Sequence, residues 1–145
     1  MVTKVAAYIF RRQPQRNELL VFAHRDHPEV PIQVPGGTVD DGEELVTALL
    51  REVEEESGLT ALKLVRKLGT CRFYRPEING EVERHFYLLE APSGTPDAWQ
   101  HLVFGTGIDC GLVFSYYWVH VNDSVKLTGD QGRFLHPEAV SELYA

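Results

Sequence analysis

The sequence predicts a single α/β domain in which helices cover each side of a mixed β-sheet. Strand-like segments alternate with two helical ones, and the longest strands have apolar residues that alternate only in part, as in sheets covered on both faces. A chain of 145 residues fits one domain, residues 1–145, and can bury about two thirds of its unfolded surface. No internal repeat or low-complexity segment indicates a second domain.

The predicted strands form two hairpins, with shorter extended segments around them. Each strand is rich in β-branched or aromatic residues and is bounded by turn residues such as Pro14 or the turn from Pro76 to Gly80. The predicted strands and extended pieces are Val2 to Phe10, Glu18 to His24, Ile32 to Val34, Leu62 to Tyr74, Glu81 to Glu90, and Tyr116 to Val121.

Two further segments complete the expected secondary structure. Ala91 to Gly111 is rich in Gly, Pro and Asp and shows no period, which predicts a long loop that is mobile in the free protein. Pro137 to Tyr144 is predicted to be a short C-terminal helix, with Pro137 in its first turn and Glu138 near its start.

The longest predicted helix runs from about Gly42 to Ser57. Asp41 is a suitable N-cap with Glu44 three residues later, and Gly58 suits a left-handed C-cap. A turn of about 100° per residue places the apolar residues on one stripe that must face the core. This stripe comprises Leu45, Val46, Leu49, Leu50 and Val53.

Three carboxylates converge on the polar side of the same helix. Glu52, Glu55 and Glu56 fall within an arc of about 100°, whereas Glu54 points elsewhere. Like charges this close raise each other's pKa and destabilise the helix unless a cation lies among them. Hard oxygen ligands suit Mg²⁺ or Mn²⁺, and these ions keep positions for water and substrate phosphates. On composition alone, a solvated acidic face is the alternative.

The spacing of these residues favours the metal site. Gly37 is followed after five residues by Glu43 and, after seven more, by the segment from Arg51 to Leu59, REVEEESGL. This resembles, at every fixed position, the signature box of the Nudix hydrolases, G-x5-E-x7-R-E-U-x-E-E-x-G-U, where U is aliphatic. The box covers about a sixth of the chain, and its many specified positions make a chance match improbable.

The resemblance implies an α/β/α sandwich in which the box forms a loop, a helix and a loop. It also implies a hydrolase of nucleoside diphosphates linked to another group, with Mg²⁺ or Mn²⁺ as cofactor and water attacking a phosphorus. By correspondence with the box, Glu52, Glu55 and Glu56 are the expected metal ligands, joined by the carbonyl of Gly36. One of the three, most often the first, also acts as base in this family.

Two other box residues have supporting roles in this interpretation. Arg51 lies one turn from Glu55 and can hold its carboxylate in place. Glu43 lies about half a circumference from Glu52, so we expect it to support the loop and the helix. We therefore list Glu52, Glu55, Arg51 and Asp109 as catalytic candidates.

Asp109 is included because many relatives recruit one further acid from outside the helix. It lies in the glycine-containing loop before the last predicted strand, and Glu81 and Glu83 are the alternatives. Aromatic and basic residues of the second hairpin could contact a base and phosphates, although ordinary strand packing or a surface position explains each of them better. They are Phe73, Tyr74, Arg75, Arg84 and His85.

Composition and charge exclude several other classes of function. The net charge of −7 argues against broad nucleic-acid binding through a basic face. Cys71 and Cys110 form no C-x-x-C pair, so we expect two reduced, mostly buried thiols and no zinc site. We expect a cytoplasmic protein, because no apolar run could span a membrane and the first residues lack a signal-peptide pattern. Its expected partner is a nucleotide-type small molecule, and homodimerisation is left open.

The sequence leaves the substrate open. Tyr74 and Pro76 lie 15 and 17 residues after Leu59, out of register with the tyrosine and proline markers of diadenosine polyphosphate and ADP-ribose hydrolases. Nucleoside triphosphates, dinucleoside polyphosphates and nucleotide sugars all stay candidates. A catalytically silent nucleotide-binding or sensing module on the same fold is the alternative function, although no box carboxylate is missing.

Overall fold

The structure is a computed structural model that describes residues 1–122 and 124–144. In this part of the chain, seven strands form one sheet, one α-helix crosses it, and three short 3₁₀ turns complete the regular structure. The elements are β1 (Val2–Arg11), β2 (Glu18–His24), β3 (Gly36–Thr38), α1 (Leu45–Ser57), β4 (Lys63–Arg75), β5 (Gly80–Glu90), β6 (Ala98–Leu102) and β7 (Val113–Val119), with 3₁₀ turns at Pro76–Ile78, Gly129–Gly132 and Ser141–Leu143.

The sheet is mixed, as predicted, and it divides along β1. The strand order is β4-β5-β1-β2-β7-β6, with β1 and β5 parallel and the other pairs antiparallel. β1 pairs with β2 only at Phe10↔Leu19 and Arg11↔Glu18. The other half of β1 pairs with β3, from Lys4↔Thr38 to Ala6↔Gly36. β1 and β2 therefore separate over the first half of β1, where β3, which contains Gly36 and Gly37, pairs with β1 instead.

Both faces of the sheet are covered, which confirms the sandwich. Alternate residues of β1 serve different cores because successive side chains point to opposite faces. On one face α1 buries Ala48, Leu49 and Val53 against the sheet. On the other face the covering is the C-terminal segment, including Val140 and Leu143.

The start of α1 differs from the prediction, whereas its end agrees with it. The helix begins at Leu45 with Glu44 as N-cap, so the predicted start at Gly42 with Asp41 as N-cap was wrong. Gly42 has φ of 77°, a left-handed conformation that a right-handed helix cannot contain. The C-cap at Gly58 is confirmed, with φ of 79° and its N–H donating to the Glu54 carbonyl. Leu50 is 43% exposed and does not belong to the buried stripe.

Three other sequence predictions need correction. The predicted loop from Ala91 to Gly111 contains the edge strand β6, and the helix predicted from Pro137 to Tyr144 is replaced by the 3₁₀ turn Ser141–Leu143. Val140 and Leu143 are both buried, and their spacing of three residues suits a 3₁₀ turn as well as an α-helix. Of the two free cysteines, Cys71 is buried as expected but Cys110 is exposed. The described residues include no helix long and apolar enough to cross a membrane.

Candidate active site

Arg51 links three carboxylates of the site by hydrogen bonds. Its Nε and Nη2 donate to Glu43 at 2.8 and 2.9 Å, and its Nη1 donates to Glu52 at 2.9 Å and to Glu55 at 3.1 Å. The hydrogen bonds from Arg51, followed by one from the Asp40 N–H, lower the pKa of Glu43 to about 2. Glu43 lies before α1 and holds Arg51 from the loop side, a contact that was not predicted, and Arg51 can position the two helix carboxylates.

Glu56 is the buried carboxylate of the site. Its Oε1 accepts a hydrogen bond of 3.0 Å from the N–H of Gly36, and the side chain is only slightly exposed. Burial raises the pKa of Glu56 well above its usual value; the Gly36 N–H opposes this shift, and Asp109 and Glu52 add to it. Asp109 thus lies close enough to Glu56 for the two carboxyl groups to interact.

Gly37 lets the backbone approach the third carboxylate. A Cβ atom at this position would lie 2.1 to 2.7 Å from the carboxylate atoms of Glu52. Burial raises the pKa of Glu52, although its hydrogen bond from Arg51 acts in the opposite direction. Glu54 is exposed on the solvent side of α1, as the helical periodicity predicted.

The loop of residues 103–112 lies over the helix carboxylates and carries Asp109. Its two ends are joined by backbone hydrogen bonds of 2.9 and 3.0 Å. His101, just before the loop, contacts the Glu55 carbonyl through Nε2 at 2.9 Å, and the Phe104 N–H donates to the same carbonyl at 3.3 Å. The base of the loop is therefore fixed to α1.

A cleft of about 590 Å³ contains these groups. It lies where β1 leaves β2, and it is lined by α1, the loop 103–112, the sheet and the segment 128–131. The titratable residues that line it are Lys4, Asp40, Arg51, Glu52, Glu55, Glu56, Arg75, Arg84, Asp109, Cys110 and Asp130. All the predicted catalytic and metal-binding residues, including Gly36, thus line one cavity.

Of the candidate residues on the second hairpin, only Arg75 and Arg84 line the cleft. Glu81 and Glu83 do not line the cleft, and Glu83 pairs with Arg72 at 2.7 Å and with His85 at 2.8 Å. Phe73, Tyr74 and His85 are also outside the lining.

Several lining residues were missed at the level of the sequence. They are Lys4, Phe104, Ile108 and the segment 128–131. Lys4 could have been singled out from the sequence, because it is a lysine in a strand of mostly apolar residues. Ile108 had none, because an isolated apolar residue in a loop gives no period, and its 99% exposure shows only in the structure.

The residues fit a divalent cation by their chemistry. Glu52, Glu55, Glu56 and the Gly36 carbonyl supply the hard oxygen atoms that Mg²⁺ and Mn²⁺ prefer. Among the described residues no three acidic, histidine or cysteine side chains are arranged as a metal-binding group, and Glu52 and Glu55 accept hydrogen bonds from Arg51. Binding would require these two carboxylates to turn from Arg51, and a cation beside the buried Glu56 would offset the cost of burying its charge.

Comparisons with known proteins agree with this geometry. A NUDIX domain sequence model matches residues 2–136. The structure is similar to a Caenorhabditis elegans Ap4A hydrolase binary complex, with a TM-score of 0.66, 19% identity, and coverage of 99% of this chain and 93% of that one.

Two other solved structures show the same fold. The NUDIX domain of Shewanella oneidensis NrtR, complexed with ADP ribose, has a TM-score of 0.65 and 18% identity, covering 100% of this chain and 89% of that one. The Escherichia coli dihydroneopterin triphosphate pyrophosphohydrolase has a TM-score of 0.57 and 19% identity, covering 81% and 79%. A comparison with curated proteins finds no significant match. With a family match over nearly the whole chain and the box carboxylates Glu52, Glu55 and Glu56 in one cleft, the protein belongs to the NUDIX family and is a Nudix hydrolase.

Proposed function

We propose that this protein cleaves a phosphoanhydride bond in a nucleoside diphosphate linked to another group, with Mg²⁺ or Mn²⁺ as cofactor. Nucleoside triphosphates, dinucleoside polyphosphates and nucleotide sugars belong to this class. The observation that carries the proposal is the convergence of Glu52, Glu55, Glu56 and Asp109 on one cleft that also contains basic side chains.

The carboxylates of α1 would hold the cation. Glu52, Glu55 and Glu56 supply its side-chain ligands, and the Gly36 carbonyl supplies a backbone ligand. When bound, the cation lowers the pKa of a coordinated water and neutralises charge on the phosphates. Arg51, held by Glu43, keeps Glu52 and Glu55 side by side at the cleft, from where they would turn to the cation.

The remaining chemistry is a proton transfer. The oxygen of water forms a bond to phosphorus, the anhydride P–O bond breaks, and the water proton passes to a carboxylate. Glu52 is the proposed acceptor because it is the first of the three box carboxylates, the position that most often acts as base in this family. Asp109 assists from the loop 103–112, where it faces Glu56 and can complete the site when substrate binds.

The test is a screen of nucleoside diphosphate derivatives with the full chain. Each compound is incubated with Mg²⁺, with Mn²⁺, and with EDTA, and release of phosphate, pyrophosphate or mononucleotide is measured. We expect turnover of at least one compound that is abolished by EDTA and restored by adding the metal. Saturable nucleotide binding without turnover would instead support the silent binding module.

A further inference from the structure

Three basic side chains from the sheet line the same cleft as the carboxylates. Lys4 lies on β1, Arg75 at the end of β4 and Arg84 on β5. Lys4 and Arg84 are register partners on the parallel strands β1 and β5. Directly paired residues project from the same face of a sheet, so these two positive charges are held next to each other.

The cations are incompletely neutralised by the protein. Arg84 forms an ion pair with Asp130. Within residues 1–122 and 124–144, Lys4 and Arg75 make no ion pair and no side-chain hydrogen bond, and the guanidinium of Arg75 packs 5.6 Å from the Phe73 ring. Two positive charges in this cleft are therefore available for a ligand.

The environment of Lys4 disfavours the positive charge of its side chain. Burial lowers the pKa of Lys4, and repulsion from Arg84 and Arg75 lowers it further, whereas Asp109 and Glu52 compensate less. A divalent cation on the helix carboxylates would reduce that compensation. An anion among the three basic side chains would then restore the balance of charge in the cleft.

We propose that Lys4, Arg75 and Arg84 form a phosphate-binding site that holds a substrate phosphate directly, without a metal ion. The occupant is a phosphate group other than the one that water attacks, because the attacked phosphorus must lie at the helix carboxylates. This inference rests on the proposed function, and it assigns specificity for the phosphate chain to side chains outside the box.

Pyrophosphate in EDTA is the probe that separates this site from the metal site. Its affinity for the full chain is measured by calorimetry for the wild type, Lys4→Met and Arg75→Gln, with Lys63→Met as control. Lys63 is an exposed lysine at the opposite end of β4, outside the cleft. Each cleft variant removes one charge-assisted contact, so binding should weaken about tenfold, whereas Lys63→Met should bind like the wild type.

Arg84 is left unchanged because its loss would leave Asp130 without its ion-pair partner and could unfold the chain. Arg75→Lys keeps the charge and should retain most of the affinity that Arg75→Gln loses. The proposal is overturned if the wild type shows no saturable binding, or if both cleft variants bind like Lys63→Met. Turnover with Mg²⁺ could persist in either case, so this failure is distinct from failure of the proposed function.

Discussion

At the scale of single residues, Arg51 organises the site by donating hydrogen bonds to three carboxylates. Glu43 holds it from the loop, and Glu52 and Glu55 receive its other donors. The contact with Glu43 forms two nearly parallel hydrogen bonds, the geometry that guanidinium groups favour with carboxylates. Box positions that are far apart in sequence are thereby joined into one network.

The ion pair between Glu43 and Arg51 should make stability depend on pH. The pKa of Glu43 is about 2 in the folded protein against an ordinary 4.5, so its stabilisation is complete above pH 4.5 and is lost as pH falls through 2. Glu43→Gln should lower the free energy of unfolding by about 1–2 kcal/mol at pH 7. In urea titrations from pH 7 to 3, that deficit should shrink below pH 4.5. A deficit that is constant with pH would contradict the role of the charge, and Glu54→Gln is the control.

Gly37 gives a second prediction, about activity. In Gly37→Ala the new methyl group would collide with the Glu52 carboxylate, which is the flexible end of a side chain and can move away. We expect turnover to fall about tenfold or more with little loss of stability, because misplacing a metal ligand costs about 10–100-fold. Gly132→Ala, where an added Cβ meets nothing within 4 Å, is the control. Equal kinetics for the two variants would show that Glu52 does not need its present position.

At the scale of elements, the loop 103–112 is fixed to α1 at its base and free at its tip. Trp99 of the preceding strand β6 stacks on Tyr116 with centroids 5.1 Å apart and donates to the Ser57 carbonyl at 2.9 Å. Trp99 therefore anchors β6, the strand that leads into the loop, against the core. The tip, with Ile108 exposed, can still move over a bound substrate.

Asp109 on this loop should affect the chemical step more than binding. Asp109→Asn removes a charge that matters most as the transition state forms, so kcat should fall more than KM rises. Glu81→Gln and Glu83→Gln, assayed with the same metal, are the comparison, since neither residue lines the cleft. If a hairpin variant loses activity and Asp109→Asn keeps it, the further acid belongs to the hairpin. If all three stay active, the helix carboxylates suffice.

The elements that the sequence predicted well are those with a strong period or a specified spacing. The strands β1, β2, β4 and β5 and the end of α1 lie close to their predicted positions. β6 was missed because it is an edge strand with one partner, and its sequence AWQHL lacks a regular alternation. The C-terminal helix failed because a short segment has little helical stability of its own, and packing against the sheet decided its form.

Within the site, the box residues could be predicted from their spacing, whereas Asp109, Arg75 and Arg84 could only be named among alternatives and Lys4 was missed. Spacing along one helix determines which side chains share a face, so the three glutamates needed no tertiary information. Lys4, Arg75 and Arg84 come from three strands, and their proximity depends on the parallel pairing of β1 with β5. No local pattern encodes that pairing.

At the scale of the whole molecule, the divided sheet places acidic and basic side chains in one cleft. β1 pairs with β3 in its first half and with β2 at its end. The helix that follows β3 brings its carboxylates to the cleft where β1 and β2 separate. The same β1 carries Lys4. A net charge of −7 therefore coexists with a local basic surface in the site.

Metal binding should raise the stability of the whole chain. At 100 times its dissociation constant, Mg²⁺ or Mn²⁺ should add about 2.7 kcal/mol if the unfolded chain does not bind it, which raises Tm by about 5–10 °C. Thermal unfolding with each metal and with EDTA measures this effect. A Tm that responds to neither ion would count against a cation site at the carboxylates.

The central claim, that the box carboxylates hold a catalytic cation, is tested most directly by turnover of Glu56→Gln against Glu54→Gln at saturating Mg²⁺. Glu56 is buried in the cleft, whereas Glu54 is exposed on the far side of the same helix. We predict that Glu56→Gln loses about a hundredfold in kcat, stays folded because it replaces a buried carboxylate by a neutral amide, and no longer gains stability from Mg²⁺, while Glu54→Gln behaves like the wild type. Unchanged turnover of Glu56→Gln at saturating Mg²⁺ would contradict the account.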